Sequence, residues 1–270
     1  MPEIGWLAFP ALGLVAGVLA GLLGIGGGIV LVAALVALLP GFGVPPASVM
    51  HVALGTSLAS IIVTATASAN AHRQRGGVLW PSVAWLAPGL VVGGVAGSRW
   101  ALGVAGETLA LIVGGFCLLM ALRMAWPSRA GAAVASEAVP RGPWMGVAGL
   151  GIGAVSAVVG IGGGSLTVPL LVSRGAATVR AVGTSSACGV VIALASAASY
   201  AIAGADGDAP AAMPPGVLGF VHVPAALGIG LGAWIAAPWG VRLAHRLGGP
   251  ALSRVFAVAL ASVGIALLWP

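Results

Sequence analysis

The pentapeptide Gly-Ile-Gly-Gly-Gly occurs twice in this chain, at Gly24–Gly28 and at Gly160–Gly164, 136 positions apart in a chain of 270 residues. Each copy interrupts a long apolar stretch, the first from about Phe9 to Leu39 and the second from about Pro143 to Val172. Clustered glycine is poor helix material. A straight helix of ~30 residues would measure ~45 Å, well over a ~30 Å hydrocarbon core. Each stretch is too long for one crossing and too short for two. Two half-helices joined at the glycines fit the length.

The setting of these breaks is a membrane. The chain is 60 % hydrophobic and 6 % charged, with a mean hydropathy of +1.13. A soluble chain of this size needs far more charge to cover its surface. The expectation is an all-α polytopic membrane protein. Eleven arginines and no lysine stand against five acids, giving an isoelectric point near 11.4. In a membrane protein that excess sets orientation, and no nucleic-acid partner is expected. Met1-Pro2-Glu3-Ile4 carries no basic stretch, so a cleaved signal peptide is not expected, nor is a soluble domain after Pro270. Cys117 and Cys188 lie in apolar surroundings and read as small hydrophobes. No metal or cofactor spacing is present.

Further spans are expected at about Val49–Ala71, Trp80–Ser98, Thr108–Trp126, Val179–Ala203, Val217–Trp239 and Leu252–Trp269. Asn70 is expected to cap the end of the first of these. The polar connection 127–142 divides the chain into a first transmembrane repeat, 1–126, and a second, 143–270, with the connection read as a cytoplasmic linker. The halves match beyond the pentapeptides. Gly13, Gly17 and Gly21 recur as Gly149, Gly153 and Ala157, a small-residue ridge that lets a neighbouring helix approach closely. Gly55-Thr56-Ser57 recurs as Gly183-Thr184-Ser185, and Gly93 and Gly97 resemble Gly228 and Gly232.

The arginines test how the glycine segments sit. If all eight segments cross, the arginines divide five against six, which is no bias. If the two glycine segments enter and leave on one side as re-entrant hairpins, ten arginines share one side and Arg99 stands alone on the other. That obeys the positive-inside rule. Each half is then a hairpin plus three crossings, so the halves are inverted repeats. Both chain termini fall outside. The competing arrangement is eight plain crossings with parallel repeats.

Broken helices near a bilayer midplane build binding sites in secondary transporters. Half-helices starting after the glycines aim positive N-terminal ends at the midplane and favour anions. The candidate substrate-binding residues are Gly26, Gly27, Gly28, Thr56, Ser57, Gly162, Gly163, Gly164, Ser165, Thr184 and Ser185. Thr167 adds a hydroxyl beside Ser165. The competing role of the glycines is close packing alone, and that of the hydroxyls is bonding to their own helix. All five acids lie in loops or at segment ends, so no buried carboxylate serves a proton relay. No nucleophile–base pair or phosphate loop appears, and an enzyme is not expected.

At these motifs the sequence resembles the TauE/SafE family of sulfite and organosulfonate exporters. The resemblance rests on both glycine clusters, the second continuing to Pro169-Leu170-Leu171, on the two Gly-Thr-Ser tripeptides, and on Gly219-Phe220-Val221-His222-Val223-Pro224-Ala225. It covers about residues 9–269. Ala33 stands where the family usually has proline, and Leu79 where an acid usually precedes the tryptophan. The resemblance implies a permease of the bacterial cytoplasmic membrane for a small sulfur-containing anion. Expected partners are that anion and the lipid bilayer, with a homo-oligomer possible. Uptake of a related anion or of a reduced sulfur compound, with Cys188 relaying it, is one alternative. A membrane assembly factor with no transport cycle is another.

Overall fold

The computed structural model describes residues 6–23, 27–125, 139–203, 213–246 and 249–268. Ten helices follow in order: α1 (Ala8–Leu23), α2 (Gly28–Leu38), α3 (Val49–Gln74), α4 (Trp80–Leu102), α5 (Gly106–Ala125), α6 (Trp144–Val159), α7 (Gly164–Ser173), α8 (Thr178–Ala203), α9 (Val223–Arg246) and α10 (Gly249–Leu268). Among the described residues, five helices are long and apolar enough to cross a membrane, lying within α3, α4, α5, α8 and α9. A two-stranded turn precedes α9, with β1 (Val217–Leu218) antiparallel to β2 (Val221–His222) and Val217 opposite His222. The expected linker lies mostly outside the described residues, as do Asp206 and Asp208.

Both glycine-interrupted stretches are hairpins whose two ends meet. In the first, Phe9 at the start of α1 packs on Phe42, just past α2, with ring centroids 4.8 Å apart. Trp6 and His222 join that cluster. In the second, the Arg174 guanidinium, one residue past α7, lies 3.8 Å over the Trp144 ring that opens α6.

Contacts then sort the loops to two ends of the bundle. The Phe9–Phe42–His222 cluster marks one end, which also holds His51, whose Nε2 is 3.0 Å from the Val104 carbonyl. At the other end the Leu79 amide donates to Thr184 Oγ1, and Ser82 donates to the Pro140 carbonyl beside the start of α6. Arg73, Arg75, Arg123, Arg141, Arg174, Arg180, Arg242, Arg246 and Arg254 fall in the loops and helix ends of this second end. Arg99, in the last turn of α4, falls at the first.

The halves interlock instead of sitting side by side. α1 packs on α9, and α6 packs on α4. Hydrophobic transfer cannot drive helix pairing in lipid, so close backbone approach must hold these pairs. Gly17 backs onto Ala233, where a Cβ would meet the carbonyl at 2.5 Å; Gly13 backs onto Ile229 and Gly232 onto Pro10. In the other pair Gly153 backs onto Leu90, whose carbonyl a Cβ would meet at 2.5 Å, and Gly89, Gly93 and Gly97 back onto Gly146, Leu150 and Ala154. Each contact favours Cα–H···O bonding. At the centre, α3 packs on α8, and at the flank α5 on α10. Ser68 meets Ser186 while Gly189 meets Ala65, so α3 and α8 run in opposite directions. Gly114 meets Leu268 and Gly264 meets Leu118, so α5 and α10 do too.

Three sequence expectations shift. The segment expected from Val217 begins as a helix only at Val223, because Gly216 and Gly219 adopt φ of 89° and 57° and fold the preceding residues into the β turn. Pro224 then suits the first turn of α9. Asn70 lies inside α3, which continues to Gln74, so it does not cap that helix. Finally, Gly89 and Gly97 play the parts of Gly232 and Gly240, so Gly93 and Gly97 are not the partners of Gly228 and Gly232.

Candidate functional site

The two glycine breaks touch each other. α2 starts at Gly28, capped by Gly27 at φ 64°, and α7 starts at Gly164, capped by Gly163 at φ 73°. α6 ends at Gly160, also at φ 73°. These left-handed conformations strain any residue with a side chain. Gly28 lies so close to Gly160 that a Cβ there would collide with the Gly160 carbonyl, and would sit 3.2 Å from the Ile161 Cα. Ser57 on α3 ties the contact: its hydroxyl lies 3.1 Å from the Gly28 carbonyl and 3.0 Å from the Gly160 carbonyl. One proton is shared between two carbonyls from opposite halves. Neither α2 nor α7 has a side chain capping its first amides, so both starts are bare positive ends, that of α2 at the contact and that of α7 four residues beyond Gly160.

The Gly-Thr-Ser tripeptides divide their work residue by residue. Gly55 backs onto the Phe220 carbonyl, and Gly183 onto the Gly77 carbonyl. Thr56 Oγ1 accepts from the His222 amide at 2.9 Å, and Thr184 Oγ1 from the Leu79 amide at 2.9 Å. Glycine admits the loop, and threonine binds its last amide before α9 or α4 begins. Thr184 also donates to the Arg180 carbonyl at 2.6 Å. A bond to the breaks comes from one serine. Ser57 is engaged there, whereas Ser185 is fully buried with no partner among the described residues.

The remaining expected residues fall around the second break. The Gly162 carbonyl lies 2.9 Å from where a Cβ on Gly189 of α8 would be. Gly163 lies beside Ser156 Oγ and the Ile192 side chain. Ser165 and Thr167 open α7 with buried hydroxyl oxygens. Gly26 lies outside the described residues. Sequence reasoning missed Ser156. Its signal was position: it stands one turn before Gly160, in a helix otherwise built of apolar residues and glycine after its tryptophan. Cys188 packs as a small hydrophobe among Leu86, Leu90 and Ile152. Elsewhere, a cavity of about 340 Å³ lies between α3, α4 and α8, lined by Asn70, Arg73, Trp80 and Val191 among others. None of the expected site residues borders it. Among the described residues no group of three or more His, Cys, Asp or Glu side chains could hold a metal ion.

A sequence profile described as "Sulfite exporter TauE/SafE" matches residues 9–267. The chain belongs to the TauE/SafE family. This TauE/SafE protein is 33 % identical over 253 residues to a "Probable membrane transporter protein" of Haemophilus influenzae, with 94 % of each chain covered. No solved structure matches it. The family and the relative make this a multi-pass membrane transport protein, in a family of transporters rather than enzymes.

Proposed function

We propose that this TauE/SafE protein exports a small sulfur-containing anion, sulfite or an organosulfonate, bound where the two glycine breaks cross. The observation that carries the reading is the bridge from Ser57 to both breaks. It ties the uncapped start of α2 to the end of α6, four residues before the uncapped start of α7. Such ends attract anions, and the glycines leave the backbone open to a ligand. The family's name supplies the sulfur oxyanion.

The halves act as inverted repeats with re-entrant hairpins. α3 corresponds to α8 and α5 to α10, and each pair runs antiparallel. Equivalent helices that oppose each other imply a two-fold axis across the bundle, in the membrane plane. The arginine-rich end is cytoplasmic. It receives the second hairpin, while the first enters from outside together with both termini of the chain. Repeat boundaries at 1–126 and 143–270 follow.

Transport is driven by the membrane potential. No carboxylate lies at the crossing among the described residues, and the potential supplies ~2.3 kcal/mol per charge per 100 mV. A divalent anion gains ~4.6 kcal/mol, a gradient of order 10³. The test is radiolabelled sulfite and sulfonate flux in proteoliposomes. Flux should follow an imposed potential. Flux that ignored it and tracked a pH gradient would remove the mechanism; import under an inward-negative potential would reverse the direction. Absence of flux for every solute would favour an assembly factor.

A further inference from the structure

The second break is surrounded by hydroxyls that nothing satisfies. Ser156, Ser165, Thr167 and Ser185 each bury a hydroxyl oxygen without a partner among the described residues. Ser156, Thr167 and Ser185 are 0 % exposed. Ser156 Oγ is aimed at the cap of α7, 3.3 Å from where a Cβ on Gly163 would be. Ser185 lies one turn before Gly189, on the side of α8 that meets the Gly162 carbonyl. Buried polar groups are almost always bonded, and leaving one unbonded is costly. Several around one glycine turn point to a missing ligand.

Among the described residues the first break has no such set. At the repeat offset, Ser156, Ser165 and Thr167 correspond to Ala20, Ile29 and Leu31, all apolar and buried. Ser185 corresponds to Ser57, whose hydroxyl is already engaged by two carbonyls. The second break therefore carries unused donors where the described residues of the first carry apolar side chains.

We propose that the hydroxyls of Ser156, Thr167 and Ser185 form the ligand set for the transported anion, contributed by the second half alone. This rests on the transport reading above. The set suits an oxyanion head with three or more unprotonated acceptor oxygens, since each hydroxyl has one proton to donate. The uncapped start of α7 supplies the positive end. The set contains no cationic side chain, so the anion is held by neutral donors and leaves without breaking an ion pair.

The test uses Ser156→Ala, Thr167→Val and Ser185→Ala in the full chain. Two readouts are taken: sulfite and sulfoacetate flux in proteoliposomes, and melting temperature in detergent with and without each anion. Each variant should raise the half-saturating concentration at least tenfold. Without anion, each should melt at or above the wild-type temperature, because an unbonded polar group has been removed, and anion should no longer raise it. Ser60→Ala, whose hydroxyl bonds the Thr56 carbonyl, should keep wild-type half-saturation. Wild-type half-saturation in the three variants, or a lower anion-free melting temperature, would overturn the ligand set while the transport reading stands. A wild-type protein that moves neither anion would remove both.

Discussion

Ser57 donates its hydroxyl to the carbonyl of Gly160 at 3.0 Å, across 103 residues of chain. The same hydroxyl reaches Gly28 at 3.1 Å. A helix end normally leaves its last carbonyls to water or to a cap. Here one serine of α3 serves a carbonyl at each break, so the two hairpin tips are held to one another through a helix that belongs to only one of them.

Ser57→Ala removes that donor and leaves the buried Gly160 carbonyl at the end of α6 short of a partner. The expected loss is ~1–3 kcal/mol of stability, seen as a lower melting temperature in detergent. Anion flux should fall at least about tenfold, a change of ~1.4 kcal/mol. Wild-type flux at normal expression would mean that the tips need not be tied for transport.

Gly163→Leu should abolish flux without preventing membrane insertion. Its φ of 73° strains a side chain, and a Cβ would meet the Ile192 side chain at 2.5 Å. Gly151→Ala is the matched control on α6, with nothing within 4 Å of the new methyl. It should insert and transport as the wild type does. Surviving flux in Gly163→Leu would assign the glycines to packing alone.

The hairpins give opposite labelling patterns. In a Cys117→Ala, Cys188→Ala background, Gly41→Cys should react with an impermeant maleimide in intact cells. Ser173→Cys, at the end of α7, should react only after permeabilisation. Both sites are exposed. Labelling of Ser173→Cys from outside would discard the inverted arrangement.

His222 links stability to pH. Burial lowers its pKa below the ordinary 6.5, and a backbone hydrogen bond opposes this more weakly. Its Nδ1 accepts from the Ala225 amide at 3.2 Å, which requires the unprotonated nitrogen. Above pH 6.5 the ring is neutral in both folded and unfolded chains, and its contribution is complete. Below 6.5 the unfolded chain binds a proton that the folded chain refuses, so stability falls until the pH passes the folded value. The melting temperature should therefore drop on acidification, and drop less in His222→Gln. An identical drop in both would place the titration elsewhere.

Much of this architecture is legible in the sequence because it is written in extremes. Glycine triplets inside apolar runs announce breaks, and the arginines announce which ends share a side. Phe9 meets Phe42 and Arg174 meets Trp144, so each glycine-interrupted stretch brings its two ends together. The register of α4 against α9 was not legible. Small residues recur every four positions along both helices, so a slip of two turns preserves the pattern, and only the contacts of Gly89 and Gly232 decide it. The turn before α9 was hidden for a different reason: Val217 to His222 is apolar enough for a span, and its fold depends on positive φ at Gly216 and Gly219. Within Gly-Thr-Ser the three roles could not be separated, because neighbouring residues on a helix face different partners and composition does not say which.

The exchange of partners between α1–α9 and α6–α4 governs how the chain can be made. During synthesis α1 emerges first, but the helix whose carbonyls meet its glycines emerges near the end. Until then the first hairpin must wait in or beside the translocation machinery, its ridge unmatched. α6 meets a partner already in place. The second hairpin can therefore dock as it is made, and the first becomes permanent only when the last quarter of the protein closes over it. A ribosome stalled before α9 would leave a chain with one finished hairpin and one still loose.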